Sequence, residues 1–211
     1  RGTTGAVVHR QPFGGWKRSS VGPTAKAGGD NYVNCLRNWP RVRDVDEALA
    51  AASSWWRDTG AQALDAPGLA AERNIVRYRH YVSPIVVRLD DSTSADEITY
   101  LRGLQSLAGF PSDVSAESPV SAFHDATIES VEALVTRVPP TTKVRWLSRE
   151  TPPSLAFLER GVSVDVRELA QAGAIELPRW LLEQSVAITN HRYGNIHAGP
   201  KPACRGLGES T

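Results

Sequence analysis

The sequence has no methionine and only two cysteines among its 211 residues. Because residue 1 is an arginine just before a Gly-rich motif, we expect the chain to be the carboxy-terminal piece of a longer protein. Two cysteines do not make the disulfide framework of small secreted domains, so a reducing, cytoplasmic compartment is the default expectation. No apolar run approaches the roughly 20 residues of a membrane-spanning helix, and we predict no membrane span.

A clustered set of metal ligands and a catalytic thiol are also missing. The five histidines are scattered along the chain, at positions 9, 80, 124, 191 and 197, so we expect no metal site. Cys35 lies in a short alternating run that predicts a strand, where we expect a small buried residue. Cys204 lies in a Pro- and Gly-containing tail. Neither cysteine has the surroundings of a nucleophile, and we assign no catalytic residue to this chain.

The Gly-rich turn that binds dinucleotides is absent from its expected place. An apolar run at Ile85–Leu89 predicts a strand, and Ser94 with Glu97 predicts the capping box of the following helix. A dinucleotide site would need Gly-x-Gly-x-x-Gly between them. Asp90 and Asp91 stand there instead, and their carboxylates would repel a pyrophosphate. We therefore predict that this part of the chain does not bind NAD by the usual route.

The charge is distributed unevenly. The formal net charge is +1, yet residues 1–43 hold eight Lys and Arg against a single acidic residue, Asp30. Such a segment suits an anionic substrate or an acidic surface of the same protein. Nucleic acid is the less favoured partner, because the segment lacks an amphipathic recognition helix and a series of stacking aromatic residues.

The chain is rich in glycine near its beginning. Residues 3–29 contain Thr-Gly-Ala, Gln-Pro-Phe-Gly-Gly, Val-Gly-Pro and Lys-Ala-Gly-Gly in that order. This stretch resembles the substrate-end loop of the aldehyde dehydrogenase superfamily, in the form found in L-glutamate γ-semialdehyde (1-pyrroline-5-carboxylate) dehydrogenases. It departs from the family form at Ser20, where the family has glycine. A plain surface loop is the alternative interpretation of any single one of these motifs.

The resemblance implies three substrate-binding residues. In the family, a Gly-Ala or Gly-Ser pair eight positions before the Phe donates backbone N–H groups to the substrate carboxylate, and the Phe packs on its methylenes. Gly5, Ala6 and Phe13 match those positions. Successive free N–H groups suit the capture of a carboxylate. The family's cysteine nucleophile, general base and NAD site would lie upstream of this chain.

The resemblance and the hydrophobic periodicity together divide the chain into four segments. The resemblance implies that residues 1–43 are the end of an aldehyde dehydrogenase domain, with the anchor loop and, where residues 31–36 alternate, an oligomerisation strand. Residues 44–74 would form a helix, capped by Asp44 and stopped by Gly60, and a linker. Residues 75–195 alternate strands with helices and predict an α/β domain with a parallel sheet, ending in a helix from Pro178 to near Gly194. Residues 196–211 would be a flexible tail.

The α/β segment resembles a second family element. Residues 71–78 and 179–195 are similar to the extension that follows the dehydrogenase domain in long bacterial proline-utilisation enzymes, where it is Rossmann-like and non-catalytic. The fold expected for the chain is therefore α/β, with a dehydrogenase loop and arm strand before a Rossmann-like domain.

Taken together, the two resemblances imply the carboxy-terminal part of an NAD-dependent oxidoreductase of proline catabolism. It would oxidise glutamate semialdehyde to glutamate as a homo-oligomer, while the fragment alone would be inactive. FAD would enter only with a proline dehydrogenase domain fused upstream. The alternative function is a non-catalytic lid or assembly module of a larger protein.

Overall fold

The computed structural model of the chain describes residues 7, 11–15, 25–120, 122–189, 191–192 and 195–196. Gly5, Ala6 and Cys204, for which the sequence makes predictions, lie outside the described residues, as does the tail from residue 197 onwards.

The described elements alternate helices and strands. In chain order they are α1 (Asn31–Asn34), α2 (Val45–Trp55) continued by a π-helix (Trp56–Gly60), β1 (Ala63–Leu64), β2 (Glu72–Arg79), β3 (Ile85–Leu89), α3 (Ala95–Ala108), β4 (Ser112–Ala116), β5 (Thr127–Ile128), α4 (Val131–Arg137), β6 (Lys143–Trp146), α5 (Ser154–Glu159), β7 (Ser163–Asp165), α6 (Gly173–Glu176) continued by a 3₁₀-helix (Leu177–Trp180), β8 (Leu182–Thr189), β9 (His191–Arg192) and β10 (Asn195–Ile196).

Five parallel strands form the main sheet of the described region. Their order across the sheet is β5-β4-β3-β6-β7, and every pair is parallel. Counted by order along the chain, this is 3-2-1-4-5, the doubly wound order of Rossmann-like folds. The predicted fold class is therefore confirmed.

Both faces of this sheet are buried, as a parallel sheet requires. Residues Ile85, Val87 and Leu89 of β3 pack into a core with α2 and α3, whereas Val86 packs with α4 and α5 in a second core. All five residues of β3 are buried, which explains why the strand is a continuous apolar run apart from Arg88.

Two predicted helices begin as their sequences indicate. The Asp44 side chain accepts a hydrogen bond from the Glu47 N–H at 2.9 Å and caps α2. Ser94 and Glu97 form a reciprocal capping box at the start of α3, and Gly109 ends that helix with a φ of 65°. Each of these signals involves residues within a few positions of one another, so the sequence alone specifies them.

The predicted arm strand at residues 31–36 is wrong, because these residues form the helical turn α1. Tyr32, Val33 and Leu36 are exposed, and no strand among the described residues lies beside them. An unpaired strand would leave its N–H groups without partners. The turn satisfies them locally instead: the Cys35 N–H donates to the Asn31 carbonyl, at 3.3 Å.

The predicted helix from Pro178 to Gly194 is also wrong. Pro178 lies in the short 3₁₀-helix, and the chain then becomes β8, which pairs antiparallel with β2 over eight residue pairs. The β-branched Val186, Ile188 and Thr189 favour this extended backbone. Strands β1, β2 and β8 form a second, antiparallel sheet, in which β1 and part of β2 occupy residues predicted to be linker.

None of the helices in the described part of the chain combines the length and the apolar character that crossing a membrane demands.

Candidate functional site

The loop that carries Phe13 is held by paired backbone hydrogen bonds. The Phe13 N–H donates to the Ala27 carbonyl and the Ala27 N–H donates back to Phe13, both at 2.9 Å. Val7 and Gln11 make a similar reciprocal pair at 3.1 and 2.8 Å. The Phe13 side chain is 53% exposed. The loop therefore presents an aromatic ring to its surroundings on a backbone that is fixed at both ends.

Lys26 connects the two limbs of this loop. Its ammonium group donates to the carbonyl oxygens of Gly14 and Gly15, the latter at 3.0 Å. The side chain is buried, and burial lowers the pKa of Lys26 to about 8, although the nearby Glu183 carboxylate opposes the shift. Lys26 thus stabilises the turn that directly follows Phe13.

Glu183, on β8, ties this loop to the antiparallel sheet. One carboxylate oxygen accepts the backbone N–H of Lys26 at 3.0 Å. The other accepts the Asn31 amide at 2.9 Å and the Tyr78 hydroxyl at 3.2 Å. Glu183 is buried, and burial raises its pKa while these hydrogen bonds lower it in part. The loop, α1 and both long strands of the sheet therefore meet at one carboxylate.

Gly29 makes the close approach of Glu183 possible. A Cβ at this position would lie 2.7 Å from a Glu183 carboxylate oxygen and 3.0 Å from the Lys26 carbonyl. A real Cβ does not approach oxygen so closely, so any larger residue would displace the carboxylate. The Lys-Ala-Gly-Gly motif at positions 26–29 accordingly serves the contact between loop and sheet.

A second contact joins the loop to β2. The Gln11 side-chain amide donates to the Glu72 carboxylate at 3.3 Å. With Glu183 opposite Tyr78 in the register of β8 and β2, the loop contacts both strands. The antiparallel sheet is thus the platform on which the Phe13 loop rests.

The crevice where Rossmann-like folds bind dinucleotides is occupied by Asp90. This crevice lies beyond the carboxyl ends of β3 and β6, where the strand order reverses. The Asp90 carboxylate accepts the Ser148 hydroxyl at 2.7 Å, the Arg149 N–H at 2.8 Å and the Ser92 N–H at 2.9 Å. Burial raises the pKa of Asp90, but these hydrogen bonds outweigh it and the pKa is lowered.

The amino terminus of α3, which would face a pyrophosphate, already holds a carboxylate. Glu97 accepts the Ser94 N–H at 2.9 Å and also forms an ion pair with Arg41 at 2.8 Å. With Asp90 charged beside it, this crevice does not fit a dinucleotide. That this domain does not bind NAD by the usual route stays a prediction, and the Asp90 and Glu97 carboxylates at the crevice are the physical reason for it.

Cys35 is half-buried at the end of α1 rather than buried in a strand as predicted, and it has the environment of a structural thiol. Its Sγ donates to the Asn31 carbonyl at 3.2 Å, and burial raises the pKa of the thiol. A thiol nucleophile needs a lowered pKa. In the part of the chain that the structure describes, no three His, Cys, Asp or Glu side chains are grouped to hold a metal ion.

Of the three substrate-binding residues expected from the sequence, only Phe13 falls among the described residues. Gly5 and Ala6 do not, so their position relative to Phe13 stays a prediction. Sequence reasoning missed Lys26, Tyr78 and Glu183 as residues of this site. The pattern Val186-Ala187-Ile188-Thr189 could have predicted a strand and so placed Glu183 on a sheet rather than on a helix.

Comparisons with protein families and with curated proteins give no match. Among solved structures, the chain is similar to Proline Utilization A (PutA) from Corynebacterium freiburgense, with 30% sequence identity and a TM-score of 0.64. The chain shares its fold with part of that protein. The similarity covers 93% of this chain and 20% of the other, so the chain spans about a fifth of the length of its relative.

Proposed function

We propose that this chain is the carboxy-terminal part of an NAD-dependent L-glutamate γ-semialdehyde dehydrogenase, which oxidises glutamate semialdehyde to glutamate in proline catabolism. The observation that carries the proposal is the loop of Phe13, which resembles a substrate-anchoring loop and holds its aromatic ring exposed on a fixed backbone. The similarity to Proline Utilization A over 93% of the chain supports the same assignment.

The proposed roles follow the chemistry of the substrate. The backbone N–H groups of Gly5 and Ala6 would bind the α-carboxylate, and Phe13 would pack on the aliphatic chain. The thiol nucleophile, the general base and the NAD site belong to the rest of the protein. The α/β domain would have no chemistry of its own, because its crevice holds Asp90 and Glu97. It would instead support the anchor loop through Glu183.

The remaining proposals concern the whole protein. It would act as a cytoplasmic homo-oligomer on a small-molecule substrate, and NAD would be its hydride acceptor. FAD would be present only if a proline dehydrogenase domain precedes the aldehyde dehydrogenase domain.

The test uses the complete protein expressed from its own gene, with NAD reduction measured for glutamate semialdehyde and for propanal. Phe13→Ala should lower kcat/KM for glutamate semialdehyde. The lost transition-state stabilisation should be about 1–3 kcal/mol, the scale of a small apolar contact in a pocket. The loss should appear mainly in KM, because the contact is made equally in the ground and transition states. Propanal, which has fewer methylenes to contact the ring and no carboxylate to hold them against it, should be affected much less.

Leu155→Ala is the matched control, because Leu155 is likewise an exposed apolar residue but lies on α5, far along the chain from the loop. Its kinetic constants should be unchanged. The 211-residue chain alone should reduce no NAD with either aldehyde. If Phe13→Ala lowered the turnover of both aldehydes equally, the loop would be scaffold and the lid or assembly function would be favoured.

A further inference from the structure

A cluster of charges, buried except for the partly exposed Arg167, lies where β6, β7 and the 3₁₀-helix meet. Among the described residues it contains four cations and two carboxylates: Lys143, Arg145, Arg167, Arg179, Asp165 and Glu176. Each carboxylate contacts two guanidinium groups. Asp165 lies 3.0 Å from Arg145 and 2.6 Å from Arg167, and Glu176 lies 2.7 Å from Arg145 and 2.8 Å from Arg179. The cluster therefore carries an excess of positive charge.

A small pocket opens beside this cluster. Its volume is about 30 Å³, and three of the four cations line it, together with Asn31, Asn34 and Cys35. Glu183 also borders it, but both carboxylate oxygens of that residue already accept hydrogen bonds from the loop, α1 and Tyr78. The space exceeds that of a single water molecule and is far smaller than a nucleotide requires.

The ammonium group of Lys143 has N–H donors that are not used in hydrogen bonds with described residues. The side chain is 4% exposed, and its one hydrogen bond with a described residue goes to the Arg179 carbonyl. The ring of Tyr81 lies 5.7 Å away and offers a weaker, cation–π contact. An ammonium has three N–H donors, so two remain for the pocket. Burial lowers the pKa of Lys143 to about 8, which is the consequence of enclosing a cation with too few acceptors.

Arg179 is in a similar situation. Its Nη1 donates to the Glu176 carboxylate at 2.8 Å and to the Glu168 carbonyl at 3.3 Å. The Nη2 and Nε groups make no hydrogen bond with a described residue. A guanidinium fork with a free edge matches the geometry of a carboxylate or a phosphate group.

We infer that this pocket binds a small oxyanion, either a phosphate group or a carboxylate group, between Lys143, Arg167 and Arg179. The anion balances the excess positive charge of the cluster. It also accepts hydrogen bonds from the N–H groups of Lys143 and Arg179 that have no partner among the described residues. Asn34 also lines the pocket, and its side-chain amide donates to the Asp30 carbonyl at 3.5 Å. The inference does not depend on the proposed dehydrogenase function.

The test is calorimetric titration of the 211-residue chain with phosphate and, separately, with acetate, at an ionic strength held constant with sodium chloride. We expect saturable binding of at least one of the two at one site per chain. Phosphate alone would indicate an inorganic or phosphorylated ligand, and acetate a carboxylate ligand. Asn34→Asp should weaken this binding by about tenfold or more, because it places a negative charge beside the anion.

Asn38→Asp is the matched control, since Asn38 is exposed, lies four positions along the chain and does not line the pocket. It should bind the anion as the unchanged chain does. Lys143→Met, with folding verified by circular dichroism, should abolish the binding. The absence of saturable binding of both anions, or equal affinities for Asn34→Asp and Asn38→Asp, would overturn the inference.

Discussion

The carboxylate of Glu183 accepts the backbone N–H of Lys26 at 3.0 Å, across 157 positions of the chain. Lys26 in turn neighbours Ala27, which is paired with Phe13 by two hydrogen bonds. A single buried side chain of the α/β domain therefore fixes the backbone that presents Phe13. Through this contact the α/β domain positions the loop.

Replacing Glu183 should destabilise the protein. Glu183→Ala leaves the Lys26 N–H, the Asn31 amide and the Tyr78 hydroxyl without their shared acceptor, and we expect a loss of about 2–4 kcal/mol in the free energy of unfolding. Glu183→Gln keeps one acceptor oxygen and should cost about 1 kcal/mol. Urea unfolding measures both values. The exposed Glu117 supplies the control: Glu117→Gln should change stability by less than about 0.5 kcal/mol. Equal unfolding midpoints for Glu183→Ala and Glu117→Gln would show that the contact contributes nothing.

Gly29 and Gly14 form a matched pair within the loop. A Cβ at Gly29 would meet the Glu183 carboxylate at 2.7 Å, whereas one at Gly14 would meet the flexible Lys26 side chain at 3.3 Å. Gly29→Ala should therefore cost about 1–3 kcal/mol and speed amide hydrogen exchange at Lys26. Gly14→Ala should leave that exchange slow. If Lys26 were equally protected in the two variants, the close approach at Gly29 would not hold the loop.

Gly173 allows α6 to pack directly on α2. A Cβ there would lie 2.0 Å from the Ala48 carbonyl and 2.5 Å from the Ala52 nitrogen, both backbone atoms. Gly173→Ala should lower stability by about 3 kcal/mol or more, because the helices must separate. At Gly103 a Cβ would meet the flexible side chain of Leu49, whose nearest methyl lies at 2.5 Å, and the gain in helix propensity of about 1 kcal/mol offsets part of that clash. Thermal unfolding should thus rank Gly103→Ala well above Gly173→Ala; the reverse order would contradict the packing.

Lys143 should make the stability of the protein depend on pH. Its pKa is about 8 in the folded chain, against an ordinary value of 10.5. Between these values the unfolded state keeps a proton that the folded state has lost, so stability rises with pH at up to about 1.4 kcal/mol per unit. Below pH 8 both states are protonated, so the contribution of Lys143 to stability does not change with pH.

Above about pH 10 the raised pKa of Tyr78 lowers the stability of the folded chain, because only the unfolded tyrosine ionises.

The comparison with Lys143→Met isolates this effect, since Lys26 contributes in the same direction and is present in both proteins. The free energy of unfolding should be measured with urea at pH 7, 8, 9 and 10 for both proteins. Above pH 8, the original chain should become more stable relative to Lys143→Met. Parallel curves over this range would mean that Lys143 is not held as a costly buried cation.

Local signals in the sequence were sufficient for much of the fold. The cap at Asp44 and the capping box of Ser94 and Glu97 each involve residues close together in the chain, and both appear as predicted. The buried strand at Ile85–Leu89 is predicted by an apolar run that only Arg88 interrupts. From these signals the alternation of strands and helices, and hence the parallel α/β sheet, could be predicted correctly.

Two elements could be decided only by contacts between distant residues. Leu182–Thr189 is a strand because it pairs along its whole length with β2, and Asn31–Asn34 is a helical turn because no neighbouring strand in the described region completes its backbone hydrogen bonds. Tyr78 and Glu183, 105 positions apart, come together only through that pairing.

The candidate site divides along the same line. The turn of the loop is encoded by its own glycines and proline, and the resemblance of residues 3–29 to a known loop singled out Phe13, whose role stays a prediction. The carboxylate that holds this loop and the cations that line the oxyanion pocket were not readable from the sequence. Their position depends on which strands pair and on which charges burial brings within reach of one another, and those are properties of the tertiary structure alone.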